Sequence, residues 1–309
     1  MSFTAYMQGE FPAVLPGISW FDLHRIYSTC PAKWKYEERE SKNSSAIYEH
    51  AAILNPDEFD SKFLREPTAD DYEKILVTDN DLKAWLKEKG VTGSSNKKYP
   101  ELLEMIEKTG ETPYILKQEQ LAADIQANQR KMTLVSGKEY DRIVTMRQVI
   151  FSNHEFAELL KYTFNNVMLV GELEGVDMRI SFDAITSSGV IIDYVGATSV
   201  RDDDFRSQAE RGGYYLKQAL LYDAFVMAYN RKPARQLLLC QERSSPYIPE
   251  CFEITDKHRE IGRTQYKTAL QLLKASQEND AWATYSLGGG IRELPISPWY
   301  AKKYGLEDK

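Results

Sequence analysis

The chain has 309 residues, 42% hydrophobic and 28% charged, with a formal net charge of −7. This length allows one large domain or two small ones, and the composition is that of an ordinary globular protein. The negative total argues against a general nucleic-acid coat protein, whose footprint is basic, but leaves room for a local basic groove beside an acidic site.

No run approaches the ~18 apolar residues of a membrane-spanning helix, so no membrane partner is expected. The opening residues, MSFTAYMQGEFPAVL, lack the basic start and apolar core of a secretory signal. Cys30, Cys240 and Cys251 are an odd, sparse set. They suit a reducing cytoplasm better than a disulfide framework.

In chain order, 18–36 (ISWFDLHRIYSTCPAKWKY) reads as a helix capped by Ser19 and ended or restarted at Pro31. Residues 44–54 (SSAIYEHAAIL) read as a second helix with a Ser cap, stopped before Pro56. The stretch 57–145 is charged and poorer in apolar residues, and is expected to be a helical insertion within a single domain spanning 1–309. A helix at 145–164 presents Phe156, Leu159, Leu160 and Phe164 on one side. Strands are expected at 166–174, 178–185 and 190–195, then a long helix over about 205–229, interrupted or started late by Gly212-Gly213. Strands at 235–241 and 249–255 and a helix capped at Thr255-Asp256 follow, with a turn-rich tail anchored by Trp282, Tyr285 and Trp299. The order predicts an α/β fold, a mixed central sheet flanked by helices.

The chemistry concentrates in MRISFDAITSSGVIIDYVGAT, residues 178–198. Asp183 and Asp193 sit on neighbouring predicted strands across the turn Thr186-Ser-Ser-Gly189. A hairpin can bring them to one face, although a bulge would shift the alternation. Two close carboxylates repel unless a cation separates them, and hard oxygen ligands suit Mg²⁺ or Mn²⁺. Glu172, on the preceding strand, is a further candidate ligand. Gln218 and Tyr222 share a helix face at i, i+4. A lone pair of that kind is usually packing. His50, on an apolar helix, is usually a core residue, yet as a ligand it would offer a neutral nitrogen.

Taken in order, these segments resemble the exonuclease VIII family, the RecE-like branch of the PD-(D/E)XK nucleases with a QxxxY motif, of phage and prophage type. ISWFDLHRIYSTCPAKWKY is similar to the family's N-terminal helix, and HAAILNPDEFDSKF to its histidine segment, which places His50. MRISFDAI and VIIDYV place Asp183 and Asp193, KQALLYDAF places Gln218 and Tyr222, and WATYSLGGGIRELPISPWY is similar to the aromatic C-terminal segment. The resemblance implies a PD-(D/E)XK-like fold and a metal-dependent DNA exonuclease of phage recombination. It would hydrolyse phosphodiesters at duplex DNA ends, form a homo-oligomer, and work beside a single-strand annealing protein in the bacterial cytoplasm. It also implies His50, Asp183 and Asp193 as metal ligands, with Glu172 a candidate.

The family pattern continues Asp-x-Lys, usually followed by Thr, whereas Asp193-Tyr194-Val195-Gly196 stands here. That Lys would orient or deprotonate the attacking water and stabilise the phosphate's charge, and losing such a group costs about 10²–10⁴ in rate. Three readings stay open. The Lys has moved, with Lys217 and Arg201 the nearest replacements; the chain is an inactive relative acting in DNA binding or protein interaction; or one disabling change has been made at 195. Some RecB-like nucleases carry an iron–sulfur cluster, and Cys30 matches the first cysteine of that pattern. The close C-terminal cysteines are missing, so no cluster is expected.

Overall fold

The computed structural model describes residues 3–7, 16–38, 44–286 and 291–306. A short strand, β1 (Phe3–Tyr6), precedes α1 (Trp20–Ser28) and α2 (Pro31–Tyr36). Asp22 holds the start of α1 by accepting from the backbone N–H and hydroxyl of Ser19 at 2.8 and 2.7 Å. Pro31 restarts the chain as α2, where its missing N–H costs nothing. Then comes α3 (Ser44–Leu54), which begins at Ser44, so the serine expected as its cap lies inside the helix.

The expected insertion holds α4 (Pro56–Lys62), β2 (Phe63–Arg65), α5 (Asp79–Glu88), α6 (Tyr99–Glu107), α7 (Leu116–Arg130) and β3 (Thr133–Val135). Leu82, Leu86, Leu102, Ile106 and Ile115 give it an apolar cluster of its own. Two features differ from the sequence reading. β2 and β3 pair in parallel, and α8 (Gly137–Ser152) runs straight across position 145 to pack on α3. A short α9 (His154–Leu160) follows.

The central sheet is built from β1, β4 (Thr163–Leu173), β5 (Val176–Thr186), β6 (Val190–Ala197), β7 (Arg235–Glu242) and β8 (Pro249–Glu253), in that spatial order. β6 and β7 run parallel and the other neighbours antiparallel. The parallel step needs a crossover, which α10 (Asp202–Arg211) and α11 (Tyr214–Tyr229) provide. The single long helix is therefore two. Gly213 sits at φ +72°, and a Cβ there would run into the His24 ring, so the break is built into the sequence.

α12 (Asp256–Glu278) packs beside α1 and α11 on one face of the sheet. Its Leu270 and Leu273 join Leu23, Ile180, Phe182, Leu220 and Phe225 in the largest buried cluster. On the other face α3, α8 and α9 bury Ile53, Ile150 and Phe156 against Ala184, Ile192 and Tyr194. In the tail, Trp282 stacks on Trp34 with ring centroids 5.8 Å apart. Tyr285, and Trp299 on α13 (Pro298–Lys303), are exposed rather than anchoring, and residues 287–290 of the turn-rich tail lie outside the described residues.

Candidate active site

β5 and β6 are joined by a tight turn in which Gly189 takes φ +88° and its N–H reaches Thr186 O at 2.9 Å. The ladder pairs Ile185 with Ile191 and Ala184 with Ile192, and stops there. The next opposed pair would be Asp183 and Asp193, which an antiparallel register places on one face. The strands part at this point, and the Asp183 carboxylate enters the gap: its Oδ2 accepts from the Tyr194 N–H at 3.0 Å.

α11 crosses above the gap. Lys217 Nζ donates to Asp193 Oδ1 in a tight ion pair and lies 3.9 Å from Asp183 Oδ2. It also stands 5.4 Å above the Trp20 ring. Gln218 Nε2 donates to Asp193 Oδ2 at 2.6 Å, and Gln218 Oε1 accepts from Gln236 Nε2 at 2.7 Å. Because Gln236 takes the oxygen, the Gln218 amide is turned with its NH₂ toward the carboxylate. From the opposite side α3 delivers His50, whose Nδ1 is 3.6 Å from Asp183 Oδ2 and whose ring stands edge-on to Tyr194.

Side-chain exposure grades across the site: 1% at Asp193, 11% at Lys217, 12% at Asp183 and 36% at His50. The acid pair therefore opens to solvent on the His50 side. Burial pushes the Asp193 carboxyl up, with Asp183 adding to the effect and the Lys217 cation opposing it. Burial also works against the charge of Lys217, but Asp183 and Asp193 together hold its ammonium above the ordinary lysine value. Burial, reinforced by Lys217, holds His50 down at about 4, so its ring is neutral near pH 7.

Of the residues singled out in the sequence, the structure brings together His50, Asp183, Asp193, Lys217 and Gln218. Glu172 does not join them. It pairs with Asp177 near the far turn of the β4–β5 hairpin and is exposed, because strand rise carries it too far from Asp183. Tyr222 shares the helix face of Gln218, but its ring is covered by Arg259 and Arg263 of α12, at 4.5 and 5.5 Å. Arg201 is exposed at the start of α10 and pairs with Asp204. Val195 lies in an apolar cluster with Ala197, Phe205, Ala209 and Leu238.

Sequence reasoning missed Gln236, Trp20, Glu49 and Arg243. Glu49 had a signal, being a carboxylate on an otherwise apolar helix next to His50. Its side chain is fully buried, accepting from Arg142 Nη2 at 2.8 Å and from Arg243 Nε at 2.9 Å.

No three His, Cys, Asp or Glu side chains among the described residues are drawn into a metal cage. This corrects the expected ligand quartet at Glu172, which is remote; Asp193 keeps its place, with Lys217 and Gln218 on its two oxygens. The donor set still fits a hard divalent cation in kind. Asp183 and Asp193 supply carboxylate oxygens, His50 an unprotonated nitrogen, and the Lys217 ammonium shows that a cation is accommodated between the acids.

The family described as PDDEXK-like domain of unknown function (DUF3799) matches residues 31–290. No curated protein matches the chain. A crystal structure of a candidate exonuclease from Eubacterium rectale superposes with a TM-score of 0.50 at 11% identity, covering 91% of each chain. That likeness speaks for the fold. No helix among the described residues is long and apolar enough to cross a membrane.

Proposed function

Because this chain belongs to the PDDEXK-like family DUF3799, we propose that it is a divalent-metal-dependent DNA nuclease whose catalytic lysine comes from α11 instead of β6. One observation carries the reading. Lys217 Nζ is lodged between Asp183 and Asp193, the charge that position 195 no longer supplies.

His50, Asp183 and Asp193 would hold the metal, which when bound polarises the phosphate and activates water. The chain's own groups divide the remaining work. Gln236 and Gln218 fix the Asp193 carboxylate in one orientation. Lys217 places a positive charge where negative charge develops on the phosphate, and its N–H groups can orient the attacking water. Neutral His50 adds a donor atom without adding positive charge. Digestion of duplex ends in phage recombination, with an annealing protein as partner and Mg²⁺ or Mn²⁺ as the ion, rests on the sequence resemblance and is part of the proposal.

A second reading has its own support. Lys217 neutralises the acid pair without any metal, as a catalytically silent DNA-binding or protein-interaction relative would require. End-labelled linear duplex incubated with Mg²⁺ or Mn²⁺ separates the two. The nuclease reading expects shortening of the label, abolished in Asp193→Asn and strongly reduced in Lys217→Met. An intact label with wild-type protein under both ions favours the silent relative.

A further inference from the structure

Beside the acid site lies a charged cluster that the chemistry above does not use. Glu49, next to His50 on α3, is bracketed by Arg142 of α8 and by Arg243, just after β7. The two arginines are spent differently. Arg142 donates to Glu139, Ser45, Glu49 and the Met146 sulfur, and its side chain is 18% exposed. Arg243 gives Glu49 only one edge of its guanidinium, Nε at 2.9 Å and Nη2 at 2.9 Å, and its side chain is 40% exposed. Its Nη1 has no partner among the described residues. The Nη1–Nη2 fork, the edge that fits a phosphate with paired hydrogen bonds, is thus held outward by a buried carboxylate.

The backbone makes room for this arrangement. Gly196 lies beneath the pair, and a Cβ there would stand 2.5 Å from Glu49 Oε2 and 2.6 Å from Arg243 Nη2. Gly196 follows Asp193 by three residues, roughly 10 Å along the strand. Gly196 is on the face of β6 covered by α3, the helix that also delivers His50 to Asp183, so the Arg243 cation stands on the His50 side of the acids.

The geometry points to Arg243 as the residue that grips a DNA backbone phosphate neighbouring the scissile one, with Glu49 as its positioning residue. This rests on the nuclease reading. Glu49, Glu139, Arg142 and Arg243 sum to no net charge, so what Arg243 offers is a directed guanidinium fork at the surface of a chain whose total is −7. A phosphodiester seated on the acid pair would bring an adjacent phosphate to the fork.

The test is duplex binding without cleavage, using a short fluorescein-labelled duplex in Ca²⁺ and reading anisotropy across a salt series. Arg243→Gln is expected to weaken binding about tenfold or more and to flatten the log–log salt slope by about one. Arg243→Lys, which keeps a charge for Glu49 but loses the fork, covers the case in which the Gln variant misfolds, and is expected to weaken binding several-fold. Gly196→Ala should behave as Arg243→Gln does. Arg235→Gln, at the opposite end of β7 in an exposed pair with Glu253, should leave affinity and slope unchanged. Wild-type affinity and slope in folded Arg243→Gln or Arg243→Lys would overturn the assignment and leave the nuclease reading standing. Absence of any duplex binding by the wild type would overturn both.

Discussion

Replacing Lys217 by Met removes the cation between two carboxylates while keeping much of the side-chain volume. At 3.9 Å from Asp183, such a charge is worth about 4 kcal/mol of attraction at an effective dielectric of ~20, before desolvation is subtracted. Removing one partner of a buried ion pair costs about 3–5 kcal/mol, because the other charge stays buried. Relief is available to Asp193, which is almost fully buried and already pushed upward, since it can take a proton. In the variant its folded pKa rises further above the unfolded value of about 3.9. A raised carboxyl stabilises the fold below the unfolded pKa, and that stability is lost as pH rises through the folded value. With Lys217 present the Asp193 carboxyl already sits at about 8, so the two proteins differ in its protonation only above that value. The expected loss is therefore about 3 kcal/mol at pH 9.5, roughly 5 °C in melting temperature, and clearly smaller at pH 6. Thermal melts of wild type and variant at both pH values measure it. A variant as stable as wild type at pH 9.5, or equally destabilised at both, would refute the idea that Lys217 neutralises the pair.

Gln236→Leu frees the Gln218 amide and should cost about 1–3 kcal/mol by urea titration, with a larger fall in cleavage than the same change at the exposed Gln118. Residues 193 and 195 share a strand face, so Val195→Lys introduced into Lys217→Met should recover part of the lost cleavage; no recovery at full folding would mean that the apolar packing around 195 closes that route. His50 is held at about 4, below its unfolded value of ~6.5, so its neutral form costs stability as pH falls through that window. His50→Asn should flatten that part of the stability–pH curve and weaken Mn²⁺ binding measured by calorimetry. Trp282→Ala removes the stack on Trp34 and the Lys35 contact at 4.8 Å, and about 3 kcal/mol of stability is expected to go with it in a urea titration.

The hairpin bearing Asp183 and Asp193 was legible because its period-two alternation and Gly-ended turn are local properties. The Gly212-Gly213 break was visible, though not that it made two helices of one. Lys217 was named beside Arg201 as a replacement for the missing lysine on proximity in sequence, and its offset of about 100° from Gln218 could not say whether it faced the acids. Gln236 and Arg243 could not be read at all. Their roles arise from the parallel pairing of β6 with β7, a contact between distant segments. Glu172 misled because sharing a hairpin with Asp183 was taken for nearness, while several residues of strand separate them. Gly196, where the resembled pattern usually has Thr, meets a steric demand of the Glu49–Arg243 pair.

β6 is buried at every position from Ile191 to Ala197. A strand with water on neither side has no neutral positions along which substitutions can accumulate one at a time. Its odd-numbered side chains answer to α10 and α11 and its even-numbered ones to α3, α8 and α9, so a change on either face registers with different partners. An uncharged residue at 195 is then compatible with the acid pair only where a cation reaches it from elsewhere, as Lys217 does. A saturation scan of 190–197 in wild-type and Lys217→Met backgrounds tests this, with tolerance of uncharged residues at 195 expected only where 217 keeps its charge.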